Sequence, residues 1–165
     1  MAEFAVYGLD CGRGVLGISP IPGRIRDYAV DLSGMLAWEP ALVLTMTTGE
    51  ELAHAGAGTI GADLAAAGVV WRHLPVPDFS APPPETVRRW PEASGLAHEI
   101  LSNGGKILAH CFGGCGRSGM AVMRLMVEAG EEPVRALARL RQVRPCAVES
   151  AAQQGWAAAA FRSGT

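Results

Sequence analysis

The chain has 165 residues, 49% of them hydrophobic, enough for one sizeable core and too few for two, so a single domain spanning 1–165 is expected. A net charge of -2 gives no global electrostatic reason to bind nucleic acid or an acidic membrane, so affinity for an anion has to come from a local site. The four cysteines, Cys11, Cys111, Cys115 and Cys146, are too few and too irregularly spaced for a disulfide scaffold.

Met1 to Tyr7 contain an early acid, no basic stretch and no long apolar run. That pattern argues against a signal peptide or a membrane span and predicts a cytoplasmic protein whose cysteines stay reduced. Phe4 to Tyr7 and Val15 to Ser19 read as edge strands, and a helix is expected over Ile25 to Trp38. Ala41 to Met46, Val69 to Leu74 and Lys106 to His110 are short apolar runs bounded by Gly or Pro, the mark of buried strands. Between them, Gly49 to Ala67 reads as helix in two pieces and Pro84 to Asn103 as helix interrupted at Pro91. Helices follow over Arg117 to Ala129, Pro133 to Val143 and Ser150 to Phe161. This alternation predicts an α/β fold with a central, mostly parallel sheet and helices on both faces. Ala81 to Pro84 reads as a stiff loop entering a helix.

One segment carries chemistry: His110-Cys111-Phe112-Gly113-Gly114-Cys115-Gly116-Arg117-Ser118, placed between a strand and a helix. Its glycines can turn successive backbone N–H groups into one concavity, and the helix that starts there adds its positive dipole end. Phe112, Gly113, Gly114, Cys115 and Gly116 are therefore expected to line an oxyanion site, with Arg117 as a planar two-pronged clamp. A field that binds phosphate also favours a thiolate, which makes Cys111 the expected nucleophile and a cysteinyl-phosphate the expected intermediate. Ser118 is placed to donate its hydroxyl to the sulfur as it leaves. His110 is expected to orient the loop through hydrogen bonds rather than act as a base.

These residues resemble the protein-tyrosine-phosphatase superfamily, whose signature His-Cys-x5-Arg-Ser/Thr is matched by His110, Cys111, Arg117 and Ser118. Within it the chain is most similar to the dual-specificity group, in particular the cyclin-dependent-kinase-associated phosphatases. The similarity extends through Ile21 to Asp27, Thr48 to Leu52 and Ala147 to Gln153, and runs from about Leu16 onward. It implies hydrolysis of phosphotyrosine, with phosphoserine and phosphothreonine as further substrates, in a phosphorylated protein or peptide. No cofactor or metal is expected, and the oligomeric state is not legible.

A poor leaving group needs a proton, so a carboxylic acid should reach over the loop. Asp78, in Pro75-Val76-Pro77-Asp78-Phe79 after a strand, is preferred to Glu92, which lies inside a helical stretch in Trp90-Pro91-Glu92. Glu149 and Gln153 fall where tyrosine-specific members carry water-positioning glutamines. By that resemblance Gln153 matches one of them and faces either substrate or solvent, whereas Glu149 departs from the pattern. Arg24 and Arg26 form either a basic lip or ordinary solvated charges. The loop between Cys111 and Arg117 lacks lysine, which favours a singly phosphorylated substrate over a polyphosphorylated lipid. Cys115 is a candidate partner for oxidised Cys111, with Cys11 and Cys146 as the remaining ones.

Three other readings compete. They are a phosphoprotein-binding module without turnover, a sulfur transferase or arsenate-reductase-like thiol enzyme, and a zinc site on His110, Cys111 and Cys115. The last lacks a second ligand pair.

Overall fold

The computed structural model describes residues 2–161. Five strands form one sheet: β1 (Tyr7–Cys11), β2 (Gly14–Ser19), β3 (Leu42–Thr45), β4 (Val70–His73) and β5 (Lys106–His110), in the order β1-β2-β5-β3-β4. β1 and β2 are an antiparallel hairpin whose two-residue loop begins at Gly12, at φ 58°, a value glycine adopts without steric cost. The other pairings, β2 with β5, β5 with β3 and β3 with β4, are parallel.

Seven helices complete the chain: α1 (Tyr28–Ala37), α2 (Gly49–His54), α3 (Ile60–Ala66), α4 (Pro84–Ser102), α5 (Gly116–Glu128), α6 (Pro133–Val143) and α7 (Ala151–Ala158). Alternate residues of the strands feed two cores, as the two-residue period of a strand requires. Leu16, Ile18, Leu42, Leu44, Ile107 and Ala109 pack with α4, α5, α6 and α7 on one face. Val43 and Leu108 pack with Met35, Leu52, Ile60 and Leu64 of α1, α2 and α3 on the other. Strands covered on both faces can be apolar throughout, and all four residues of β3 are buried.

Three expectations are corrected. Val15 to Ser19 is not an edge strand: β2 lies between β1 and β5, with Leu16 and Ile18 fully buried, because the hairpin places β1 outside it. The expected strand at Phe4 to Tyr7 is displaced to Tyr7–Cys11. Helix α4 is also continuous through Pro91. The proline sits on the exposed side, where water can satisfy the carbonyl it frees, while Trp90, Ala93, Ala97 and Leu101 anchor the opposite side in the core. No helix among the described residues is long and apolar enough to cross a membrane.

The parallel strands β3, β4 and β5 end side by side at their carboxyl ends, the edge where open α/β sheets place ligands. The chain that leaves β5 forms the loop 111–115, and the chain that leaves β4 carries residues 74–80.

Candidate active site

Cys111 directly follows β5 and is 2% exposed, with its Sγ 3.1 Å from the Oγ of the fully buried Ser118 on α5. The loop then turns through Gly114, at φ 75°, where a Cβ would press within 2.7 Å of the Ser19–Pro20 backbone. Only glycine fits both demands. Gly116 opens α5 without a special backbone angle, and a Cβ there would press on the side-chain ends of Glu149 and Gln153, so it leaves room for those two groups beside the loop. Arg144, which also lines the pocket beside the loop, donates its Nε to the Gly114 carbonyl at 2.8 Å and its Nη2 to the Gly113 carbonyl at 3.0 Å. With both carbonyls held by one guanidinium, this stretch of the loop is pinned at two successive residues. Phe112 is anchored by its carbonyl, which accepts from the Ile21 N–H, and by Arg24, whose guanidinium stacks 4.9 Å from the ring centre.

Arg117, in the first turn of α5, is 2% exposed and gripped from one side. Its Nη1 and Nη2 donate to the two carboxylate oxygens of Glu51 at 2.7 Å each, and Nη1 also donates to the Val76 carbonyl at 3.0 Å. A guanidinium has five N–H groups. These contacts use both on Nη1 and one on Nη2, which leaves the adjacent Nε–H and the second Nη2–H as a parallel pair. The Nε is buried without a partner, and Nη2 is 3.5 Å from the Asp78 carboxylate. This buried side-on edge, with Nε unpartnered and Nη2 facing Asp78 at 3.5 Å, has the geometry to hold two oxygens of one phosphoryl group.

Glu51 was invisible as a site residue in the sequence, although Thr48 to Leu52 belongs to the resemblance. It closes a capping box at the start of α2: Thr48 N–H donates to its Oε2 at 2.8 Å, and its own N–H donates to Thr48 Oγ1. Burial alone would raise its pKa, but the Arg117 and Thr48 hydrogen bonds outweigh this and hold it below the usual carboxylate value. Burial likewise opposes the charge on Arg117, yet Glu51, Cys111 and Asp78 raise its pKa on balance. The Thr-x-x-Glu spacing was the available signal, but it marks a helix start whether or not an arginine lies opposite.

Asp78 stands on the loop after β4, 55% exposed, and lines the same pocket of about 380 Å³ as Cys111, Phe112, Gly113, Cys115 and Arg117. Phe79 follows at φ 62°, an uncommon value for a bulky residue, and its carbonyl accepts from the Ser150 hydroxyl at 2.7 Å. This bond ties the Asp78 loop to the start of α7. Glu92 lies elsewhere, on α4, paired with Arg72 at 2.6 Å. Arg24 lines the pocket, whereas Arg26 points away and donates to the Ala2 carbonyl. Gln153 does not face solvent. It is fully buried, its Oε1 accepts from the Glu149 N–H at 2.8 Å, and its Nε2 has no partner among the described residues. Glu149 lines the pocket.

Cys115 and Cys146 form a disulfide with a Cα separation of 5.2 Å, inside the range such bonds span. This corrects the expectation of four thiols and of Cys115 as a free partner for Cys111. Cysteine counting missed it because α6 returns the chain to the loop, which no spacing rule records. Cys11 and Cys111 are free. Among the described residues, no group of three or more His, Cys, Asp or Glu is placed to hold a metal ion. A larger concavity of about 490 Å³ lies at the far end of α5, lined by Arg124, Glu128 and Phe161, where the Arg124 and Glu128 charges already pair with each other.

Residues 42–131, more than half of the chain, match the family described as "Polymorphic toxin system, DSP-PTPase phosphatase". The chain belongs to this family. It is a cysteine-dependent protein phosphatase of the dual-specificity type. Its fold is similar to that of kinase-associated phosphatase (KAP), solved with its catalytic cysteine replaced by serine, at 20% identity and a TM-score of 0.81, over 95% of this chain and 93% of that one. Tk-PTP in its active form is 28% identical with a TM-score of 0.67, over 85% of this chain and 86% of that one. PTPMT1, solved in complex with PI(5)P, is 14% identical with a TM-score of 0.70, over 93% of each chain. No curated protein matches the sequence.

Proposed function

We propose that this phosphatase hydrolyses phosphotyrosine, and more slowly phosphoserine and phosphothreonine, in proteins or peptides through a cysteinyl-phosphate on Cys111. The observation that carries the reading is the convergence of Cys111, the free edge of Arg117 and Asp78 on one pocket. In the first step the Cys111 thiolate attacks phosphorus, an S–P bond forms, the P–O bond to the substrate breaks, and Asp78 gives its proton to the leaving oxygen. The Nε–Nη2 edge of Arg117 and the loop amides meet charge that spreads over the equatorial oxygens. In the second step water attacks phosphorus, Asp78 takes its proton, and sulfur departs with a hydrogen bond from Ser118.

Phe79 and Phe112 flank the pocket as apolar walls for an aromatic leaving group, which supports the preference for phosphotyrosine. Arg24 supplies a cation at the mouth, suited to a phosphopeptide with acidic neighbours. Retention of both a nucleophile and an acid favours turnover over passive binding, for which neither is needed. A panel of matched phosphotyrosine, phosphoserine and phosphothreonine peptides tests the reading. The expected order is phosphotyrosine first, with turnover abolished in Cys111→Ser while vanadate still binds. Turnover retained in that variant would remove Cys111 as nucleophile.

A further inference from the structure

The backbone register aligns Thr45 of β3 with His73 of β4 on one side and His110 of β5 on the other. The side chains make a continuous contact there. Thr45 Oγ1 lies 2.7 Å from His110 Nε2 and accepts from Trp71 Nε1, also at 2.7 Å. Trp71 is two residues before His73, hence on the same face of β4, and stacks on it with ring centres 5.5 Å apart. Gly61 on α3 makes the space: a Cβ there would sit 2.5 Å from the Trp71 ring. On its far side, His110 Nδ1 is 3.2 Å from the Cys111 carbonyl oxygen.

Donor accounting gives this contact a direction. An indole nitrogen only donates, so Thr45 Oγ1 accepts from it and has one hydrogen left to give. The neighbouring acceptor for that hydrogen is an unprotonated His110 Nε2. The ring proton is then on Nδ1, pointing at the Cys111 carbonyl. The opposite tautomer would set a bare Nδ1 against that carbonyl oxygen and leave the Thr45 hydrogen unused, both costly in a fully buried place. Burial keeps His110 neutral by pushing its pKa down to about 4, with the charges of His73 and Arg117 acting in the same direction and the Cys111 carbonyl and Glu51 against it.

We propose that Trp71 and Thr45 are positioning residues for the nucleophile, acting through a one-way hydrogen-bond chain that locks His110 as its Nδ1–H tautomer and so fixes the backbone of Cys111. The proposal rests on the reading of Cys111 as nucleophile. The chain begins two strands away from the loop, so a residue that touches no substrate sets the direction from which Sγ approaches phosphorus.

The test is imidazole nitrogen NMR of histidine-labelled protein combined with steady-state kinetics on an aryl phosphate. In the unaltered protein, His110 is expected to show a protonated Nδ1 and a bare Nε2. Thr45→Val should shift that tautomer balance and lower kcat by about 10-fold, the scale of a small misplacement, with KM changed less than about two-fold. Thr45→Ser keeps the hydroxyl and should restore both readouts. Trp71→Phe should mix the tautomers with a smaller fall in kcat, and it provides a second variant should Thr45→Val fold poorly. An Nε2–H tautomer in the unaltered protein overturns the proposal, as does a Thr45→Val protein with tautomer and kcat unchanged. The NMR signal is independent of turnover, so failure of the Cys111 reading, seen as an active Cys111→Ser, is distinguishable from failure of the chain.

Discussion

Glu51 grips Arg117 by both terminal nitrogens at 2.7 Å and leaves the Nε of the guanidinium buried and without a partner. A helix cap thus doubles as the holder of Arg117, the proposed phosphate clamp. Glu51→Gln keeps one acceptor and should lower kcat/KM by about 10-fold, whereas Glu51→Ala, which frees Arg117 to swing, should cost about 100-fold. The pH sign follows from the lowered pKa of Glu51. The stabilisation it gives is fully present above its unfolded-state pKa, near the ordinary carboxylate value, and is lost as pH falls through the lowered one. Urea denaturation at stepped acidic pH checks this, and Glu51→Gln should flatten the acid decline.

Asp78 and Glu92 separate cleanly, because only Asp78 shares the pocket with Cys111. Asp78→Asn should lower kcat by about 10²- to 10⁴-fold, the range of a positioned general acid. The loss should be larger for phosphotyrosine than for an activated aryl phosphate, whose oxygen leaves with little protonation. Glu92→Gln should leave the rate and its leaving-group dependence nearly unchanged. A Brønsted plot over a series of aryl phosphates reads both variants.

The Cys115–Cys146 bond closes a loop across a sequence separation of 31 and joins the phosphate loop to the segment before Glu149. Arg144 and the Val148 N–H, which donates to the Cys115 carbonyl, reinforce the same junction. Removing the bond with Cys146→Ser should cost about 2–4 kcal/mol of stability and raise the inhibition constant of phosphate. Thiol counting on unfolded, unreduced protein should find only Cys11 and Cys111 reactive. Mild peroxide should leave Cys115 linked to Cys146, with no linkage between Cys111 and Cys115 on mass spectrometry.

The phosphate loop was legible in the sequence because its parts are local: a strand, a Cys-x5-Arg run and a helix start all fall within about a dozen residues. That Asp78 would share a pocket with Cys111 was legible for a related reason, since loops after parallel strands gather at one edge of the sheet. Glu51 and Arg117 are 66 residues apart in the chain and meet only through the order of β3, β4 and β5. Trp71, Thr45 and His110 meet only through strand register. The misplaced edge strand has a similar origin. β2 carries the apolar pattern of Leu16 and Ile18, and nothing local says on which side of it β1 will pair. Pro91 misled because propensity treats proline alone, whereas the buried residues on the far side of α4 hold that helix together.

Glu128, at the end of α5, gathers Trp90 Nε1, Ser94 Oγ and His98 Nε2 from α4 together with Arg124 Nε. Burial alone would raise its pKa, but these partners bring it down to about 2. It contributes stability that is complete above the ordinary carboxylate pKa and fades as pH falls toward about 2, worth on the order of 3 kcal/mol. Glu128→Ala strands four donors and should destabilise by about 3–5 kcal/mol. The residue lies about 18 Å along α5 from the phosphate loop, so KM for a phosphopeptide should hold. Thermal melts and kinetics on the same preparation read the two effects apart.

The central claim is a covalent phosphoryl group on Cys111, and acid quenching of the enzyme during turnover of a phosphotyrosine peptide tests it most directly. Mass spectrometry of the quenched digest should find phosphate on the peptide containing Cys111, in larger amount in Asp78→Asn when an activated aryl phosphate is used, because loss of the base slows the second step. Steady turnover with no adduct on that peptide, or an adduct on any other residue, would contradict the account.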